Sequence, residues 1–196
     1  MTKKIAKPSV EEAEEAVRTL LRWIGEDPER KGLGRTPARV LKSYADWYAG
    51  YNEDPAAELG SVFPDADGYK DMVVLTDIDF ESHCEHHMAP FIGRAHVAYV
   101  PDGKVVGVSK LVRVVNSFAK RLQVQEKLTQ NIADCINNEL QPKGVAVVLQ
   151  ARHECMTTRG VYKNNIEMKT CALLGQFERE DRIREEFFRM IQFNPA

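Results

Sequence analysis

No run of 18 apolar residues occurs in the 196-residue sequence, so no segment has the length and hydrophobicity of a membrane-crossing helix. An excess of one charge is also missing. The 27 Lys and Arg stand against 29 Asp and Glu, a net charge of −2. A nucleic-acid or anionic-membrane partner is marked by a basic excess, so neither is expected. A small anionic substrate remains compatible, since a few local Lys and Arg suffice to hold one. The opening stretch MTKKIAKPSVEEAEE lacks the apolar core of a signal peptide, and the expected location is cytoplasmic. In that compartment the only four cysteines, Cys84, Cys135, Cys155 and Cys171, are expected as thiols, thiolates or metal ligands rather than disulfides.

Hydrophobic residues at 43% and charged residues at 29% describe an ordinary globular chain able to bury a core. Ser9 and Glu12 have capping-box spacing, and Ala13, Val17, Leu20, Leu21 and Ile24 recur at helical intervals until Gly25 and Asp27-Pro28. Thr36-Pro37 reads as a cap and first position of a second helix, which Gly50 stops. Residues 51–70 read as a long connection. From Met72 the period shortens: MVVLTDIDF alternates, with Met72, Val74, Ile78 and Phe80 on one face, and FIGRAHVAYV follows as a second strand. PDGK (101–104) is a turn, and VVGV a short third piece. Ser109 is expected to cap a helix, and a second one follows through Leu140. GVAVVLQAR then returns to strand with Val145, Val147, Leu149 and Ala151 on one face, a last strand falls in 161–177, and a helix closes the chain over 180–192. The expected class is α+β: an antiparallel β-β-α-α-β-β core over 71–196, with a tail, helical hairpin and linker over 1–70. No internal sequence repeat is present.

Histidine, with five copies, is nearly as sparse as cysteine, yet SHCEHHMAP (82–90) holds three histidines and a cysteine within positions 83–87. Cys84 and His87 form a C-x-x-H pair in what reads as a tight turn. RHECMTTRG (152–160) carries His153 and Cys155, whose period-two spacing at a strand end puts both on one face. Cys84, His87 and Cys155 together suit Zn²⁺ and leave a fourth tetrahedral position open, as catalytic zinc requires. His86 and His153 then stand nearby as acid–base groups. Other readings of the same residues stay open: structural zinc with His83, His86 or His153 as fourth ligand, a metal-free reactive Cys84, or plain packing. The 71 residues between Cys84 and Cys155 fit a ligand brought in by tertiary folding better than a zinc finger. Cys135, Cys171 and His96 lie in regular segments where packing is the simpler role.

Beyond the two ligand stretches, TPAR (36–39), YVPDGKVVGVSKLVRVV (99–115), RLQVQEKLTQ (121–130) and LLGQF (173–177) complete an ordered set. With CEHH (84–87) and HECMTTRG (153–160), the set resembles GTP cyclohydrolase I of the zinc-containing type over about residues 10–193. The resemblance implies the tunnelling fold, a homo-oligomer that is a decamer of two facing pentamers, and active sites at subunit interfaces. It implies conversion of GTP and water to formate and 7,8-dihydroneopterin triphosphate. Residue by residue, it implies Cys84, His87 and Cys155 as zinc ligands and His86 and His153 as the proton-transfer pair. Glu126 is implied as the guanine anchor with Gln125 as an adjacent contact. Ser109, Lys110, Arg113 and Arg159 are implied on the triphosphate, with Arg39 supplied by a neighbouring subunit.

One run departs from the family pattern. After Arg159-Gly160-Val161, where small hydroxyl residues are usual, the chain reads YKNNIEMKTCALLG, with Ile166, Glu167 and Met168 and only Thr170 kept. Two rival readings follow from the family: a tunnelling-fold nitrile reductase, opposed by retention of both cysteine ligands with VSK and QVQE, and a non-catalytic zinc-stabilised assembly.

Overall fold

The computed structural model describes residues 6–60, 62–64 and 68–192. The chain divides into two compact units, residues 1–48 and 49–196. In the first, helix α1 (Val10–Trp23) begins with the expected capping box: Ser9 Oγ accepts the Glu12 N–H at 3.1 Å, and Glu12 accepts the Ser9 N–H at 2.8 Å. Helix α2 (Thr36–Trp47) starts one residue earlier than expected, with Arg35 as the cap residue and Thr36 already helical. None of its N-terminal amides receives a side-chain cap, and Pro37 at the second position presets the backbone angle instead.

In the second unit the connection 51–70 carries structure of its own. A 3₁₀ turn (Ala49–Asn52), a short helix α3 (Pro55–Glu58) and strand β1 (Val62–Pro64) precede the main sheet. The remaining elements are β2 (Val73–Cys84), β3 (Pro90–Val100), β4 (Lys104–Val106), α4 (Val108–Ala119), β5 (Leu122–Gln123), α5 (Gln125–Leu140), β6 (Gly144–His153), α6 (Glu154–Thr157), β7 (Met168–Gly175), α7 (Gln176–Arg179) and α8 (Asp181–Gln192). Five strands form one sheet in the order β5-β2-β3-β6-β7, antiparallel except for the two-residue parallel pairing of β5 with β2. The short piece β4 pairs with β1 in a separate ribbon, and the buried Tyr99 hydroxyl accepts the Val106 N–H at 3.1 Å to tie it to β3. The result is a mixed α+β architecture.

Helices α4 and α5 cover one face of the sheet. Leu111, Val114, Val115, Leu128, Ile132 and Ile136 meet Ile78, Phe80, Phe91, Val145, Val147 and Leu149 there, nearly all fully buried. Each such aliphatic side chain contributes about 1.5–3 kcal/mol by leaving water. On the opposite face Phe177, Ile183 and Phe187 from α7 and α8 cover Ala98, Val100, Ala146 and Val148. Both faces are thus apolar at one end of β6, as its run of six buried residues shows. The rest of that face is an open polar cleft lined by Asp77, Asp79, Arg94, His96, Gln150 and Arg152.

The alternation in β2 differs from expectation. A bulge between Leu75 and Ile78, with Asp77 at φ 55°, switches which residues face the helices. Val73 and Leu75 pack with Ile78 and Phe80 under α4 and α5, whereas Met72 and Val74 pack on the α7–α8 side. A second correction concerns α4: its cap residue is Gly107, and Ser109 lies in the first turn. Among the described residues no helix is long and apolar enough to cross a membrane.

Candidate metal centre

The dense histidine stretch is the loop of the β2–β3 hairpin. The Cys84 N–H donates to the Ala89 carbonyl at 2.8 Å, while the Cys84 carbonyl accepts from His87 (3.3 Å) and Met88 (2.8 Å). This single helical turn needs Met88 at φ 53°, a left-handed conformation that a non-glycine residue seldom adopts. Strand β5 fixes the loop from outside, since the Gln123 carbonyl accepts the Glu85 N–H at 3.0 Å. Cys84 ends up buried, with Glu85, His86 and His87 exposed around it.

The second arm comes from the end of β6, which pairs with β3 in the register Phe91↔His153. The chain leaves the sheet immediately after His153, and Cys155 is the second residue of α6. His153 and Cys155 therefore do not share a strand face as their period-two spacing predicted. A helical turn, held by Thr157 and Arg152 donating to the Glu154 carboxylate, swings the thiol back instead. Cys84, His87 and Cys155 each place a ligand atom within 4.8 Å of the other two. Burial pushes the Cys155 thiol up, and the neighbouring Cys84 adds to the effect, partly opposed by Arg159. A divalent metal bound there would favour the thiolate forms as ligands.

The donor set fits a tetrahedral ion. Ligand bonds of about 2.3 Å to sulfur and 2.1 Å to nitrogen imply a sulfur–nitrogen separation of about 3.6 Å. Cys84 Sγ and His87 Nδ1 lie 3.8 Å apart. His86 Nδ1 is as near to Cys84, at 3.7 Å, yet His86 does not belong to the group of three. No fourth His, Cys, Asp or Glu among the described residues joins it either. On the far side of the imidazole, Arg159 Nη1 lies 3.2 Å from His87 Nε2. A guanidinium only donates, so this contact needs the ring proton on Nδ1. Ligation through Nδ1 would move that proton to Nε2 and release Arg159.

Other candidate residues surround this point unevenly. His153 is half-buried, stacks on the fully buried Phe91 (centroids 4.5 Å, planes 4° apart) and bonds Gln125 Oε1 through Nε2 at 2.8 Å. Burial lowers its pKa, with the charge of Glu126 opposing. Glu126 is exposed in the first turn of α5. Gln125 is 1% exposed and its side-chain nitrogen donates to Leu149 O, Met168 O and Thr170 Oγ1. Every polar atom of the Gln125 side-chain amide is thus engaged inside the protein. Ser109 and Lys110 occupy the first turn of α4, and Arg113, one turn later, pairs with Glu58 at 3.4 Å. Among the described residues no hydrogen bond or ion pair joins these three to the cluster. Arg39 is exposed on α2 in the first unit.

Three contributors escaped the sequence reading. Phe91 supports His153 through cross-strand register, and Gln123 braces the loop through its backbone and donates to Phe118 O at 2.8 Å. Thr129 donates to Gln125 O at 2.8 Å and contacts Thr170 Oγ1 at 2.6 Å. Only Thr129 left a sequence signal, a buried-face position one turn after Gln125.

A family model described as GTP cyclohydrolase I matches residues 13–192. The GTP cyclohydrolase 1 of Maricaulis maris is 52% identical over 186 residues, covering 95% of this chain and 91% of that protein. That of Brucella anthropi is 53% identical over 180 residues, 91% of this chain and 84% of its own length. Among solved structures, the apo archaeosine synthase QueF-Like aligns with 55% of this chain and 96% of its own, at 20% identity and a TM-score of 0.46. That weak likeness carries no weight here; the match of model and relatives over nearly the full length does, and the chain belongs to the GTP cyclohydrolase I family.

Proposed function

We propose that the protein is a zinc-dependent GTP cyclohydrolase I that opens the imidazole ring of GTP, releases formate and forms 7,8-dihydroneopterin triphosphate. The observation that carries the reading is the Cys84–His87–Cys155 group in a member of this family, with three protein ligands and no fourth among the described residues. When bound there, zinc supplies Lewis acidity and a nucleophile derived from water at neutral pH. The two thiolates and the imidazole hold it in one orientation. His86 and His153 exchange protons with the opening ring as its acid–base groups. Glu126 accepts from the two adjacent N–H groups that guanine presents and adenine lacks. The triphosphate is held by Lys110 and Ser109 at the N-terminus of α4, where free amides and the helix dipole favour anions, together with Arg113 and Arg159. Arg113 leaves only an exposed pair with Glu58 for this purpose, a contact of little strength.

The order β2-β3-α4-α5-β6-β7, with both helices on one sheet face, supports the tunnelling fold for the second unit. A cytoplasmic decamer of two pentamers, with Arg39 reaching a neighbour's site, completes the proposal. Trp23, 83% exposed, and the exposed Leu20 and Ile24 support an assembly that covers them. Incubation with GTP, followed by formate assay and pterin fluorescence after oxidation, tests the activity. Undiminished turnover in chelator-stripped protein would refute the zinc requirement, and no formate from zinc-loaded protein would refute the reaction.

A further inference from the structure

We infer that Gln125 is a positioning residue that fixes the proton of neutral His153 on Nε2, so that His153 exchanges protons with the substrate through Nδ1 alone. The inference rests on the proton-transfer role given to His153 above. It starts from the orientation of one buried amide. The Gln125 side-chain nitrogen faces two backbone carbonyls, Met168 O at 3.0 Å and Leu149 O at 3.3 Å, and Thr170 Oγ1 at 3.1 Å. Turning the amide over would set its oxygen against both carbonyls in a site that is 1% exposed, with no water to relieve the repulsion. The orientation is therefore forced. Its oxygen, 2.8 Å from His153 Nε2, can only accept. Nε2 must donate, and a neutral imidazole has one proton to place.

The surrounding hydroxyls close a ring that leaves no donor spare. Thr129 donates to Gln125 O, so the 2.6 Å contact between the two threonines takes its proton from Thr170, whose oxygen remains free to accept from Gln125. Stacking on Phe91 fixes the plane of the imidazole. Nδ1 has no hydrogen-bond partner among the described residues and is the one nitrogen left for chemistry. This also gives Thr170 a task in the otherwise altered run 164–171.

The test uses zinc-loaded, full-length protein labelled with ¹⁵N-histidine, and magic-angle-spinning NMR to tell protonated from bare ring nitrogens. The His153 signals are assigned by their loss in His153→Asn. Wild type should show His153 with Nε2 protonated and Nδ1 bare. Gln125→Leu should mix the two forms and lower kcat about 10–100-fold, with KM for GTP changed less than about threefold. Gln125→Glu should restore both signals, because a neutral carboxyl in this buried site donates its single proton to one of the two carbonyls and accepts from Nε2 through its other oxygen. A wild-type His153 protonated on Nδ1 overturns the inference, as does Gln125→Leu with unchanged kcat. If Gln125→Leu loses zinc or fails to fold, the wild-type spectrum decides alone. Absence of GTP turnover in wild type sinks the proposed activity instead and leaves the spectrum to be read independently.

Discussion

Replacing Cys155 by Ser separates metal binding from folding more cleanly than any other change at the cluster. Cys155 is half-buried in a four-residue helix, whereas Cys84 belongs to the main core. Exchanging sulfur for oxygen at a half-buried position should cost under about 1 kcal/mol of stability. Its effect on the metal is far larger. Structural zinc sites with four protein ligands bind with about 10–16 kcal/mol, or roughly 2.5–4 kcal/mol per ligand. A serine hydroxyl does not ionise near neutral pH, so the variant loses one of the three proposed protein ligands. The affinity should fall by at least about 100-fold. Dialysis against chelators of graded strength, with zinc counted by elemental analysis, reads that loss directly. Urea unfolding of the metal-free proteins should give matching midpoints, and formate release should fall to background. A Cys155→Ser protein that keeps one zinc per chain through dialysis and turns over GTP would refute the ligand assignment.

Three further outcomes follow. Cys135, whose thiol is pushed up to about 11 by burial first and then by Glu139 and Asp54, should stay silent to a thiol reagent at pH 8. Stripping the metal should add two slowly reacting thiols, the buried Cys84 and Cys155, whose own thiol burial pushes up, and a gain of none would count against the site. His96 is 2% exposed, and burial lowers its pKa below the 6.5 of the unfolded chain. The unfolded state thus binds more protons below about pH 6.5, so stability is full above that pH and is lost as pH falls through the lower folded value. His96→Asn should flatten the change in urea midpoint between pH 7.5 and 5.5; an unaltered pH dependence would refute the assignment. At Gly93 an added Cβ would sit 1.9 Å from Gln150 O and 2.6 Å from Ala151 Cα, both backbone atoms. Gly93→Ala should cost at least about 3 kcal/mol by forcing β3 from β6, and an unchanged unfolding midpoint would show the ladder to be slack.

How far the sequence could be read depended on the range of the interaction in question. The capping box at Ser9 and Glu12 and the hairpin pattern are local, and they stand in the fold as they stand in the chain. The bulge in β2 is not local. It is stabilised by His96 Nδ1 accepting the Asp77 N–H at 3.2 Å, from a residue 19 positions away. No turn signal marks Asp77, so alternation counted along MVVLTDIDF put Met72 and Val74 on the wrong side. Ser109 failed as a cap for a similar reason. Gly107, extended at φ −60° and ψ 132°, starts the helix two residues earlier without any side-chain bond.

Gln125 shows the same limit at the level of function. In the sequence Gln125 is marked only through the family motif, as a contact adjacent to Glu126. Its burial depends on β6 and β7, whose carbonyls at Leu149 and Met168 lie 24 and 43 residues downstream. The cluster itself depends on those same strands. The pairing Phe91↔His153 brings the second arm beside the Cys84 loop, and a slip of one residue would turn His153 to the opposite face of the sheet. Such a slip would also remove its stacking partner and carry Cys155 away from Cys84. The close approach at Gly93, two residues along the same ladder, opposes that slip. Strand register, rather than the density of histidines in one loop, is therefore what joins these two stretches into one candidate metal centre.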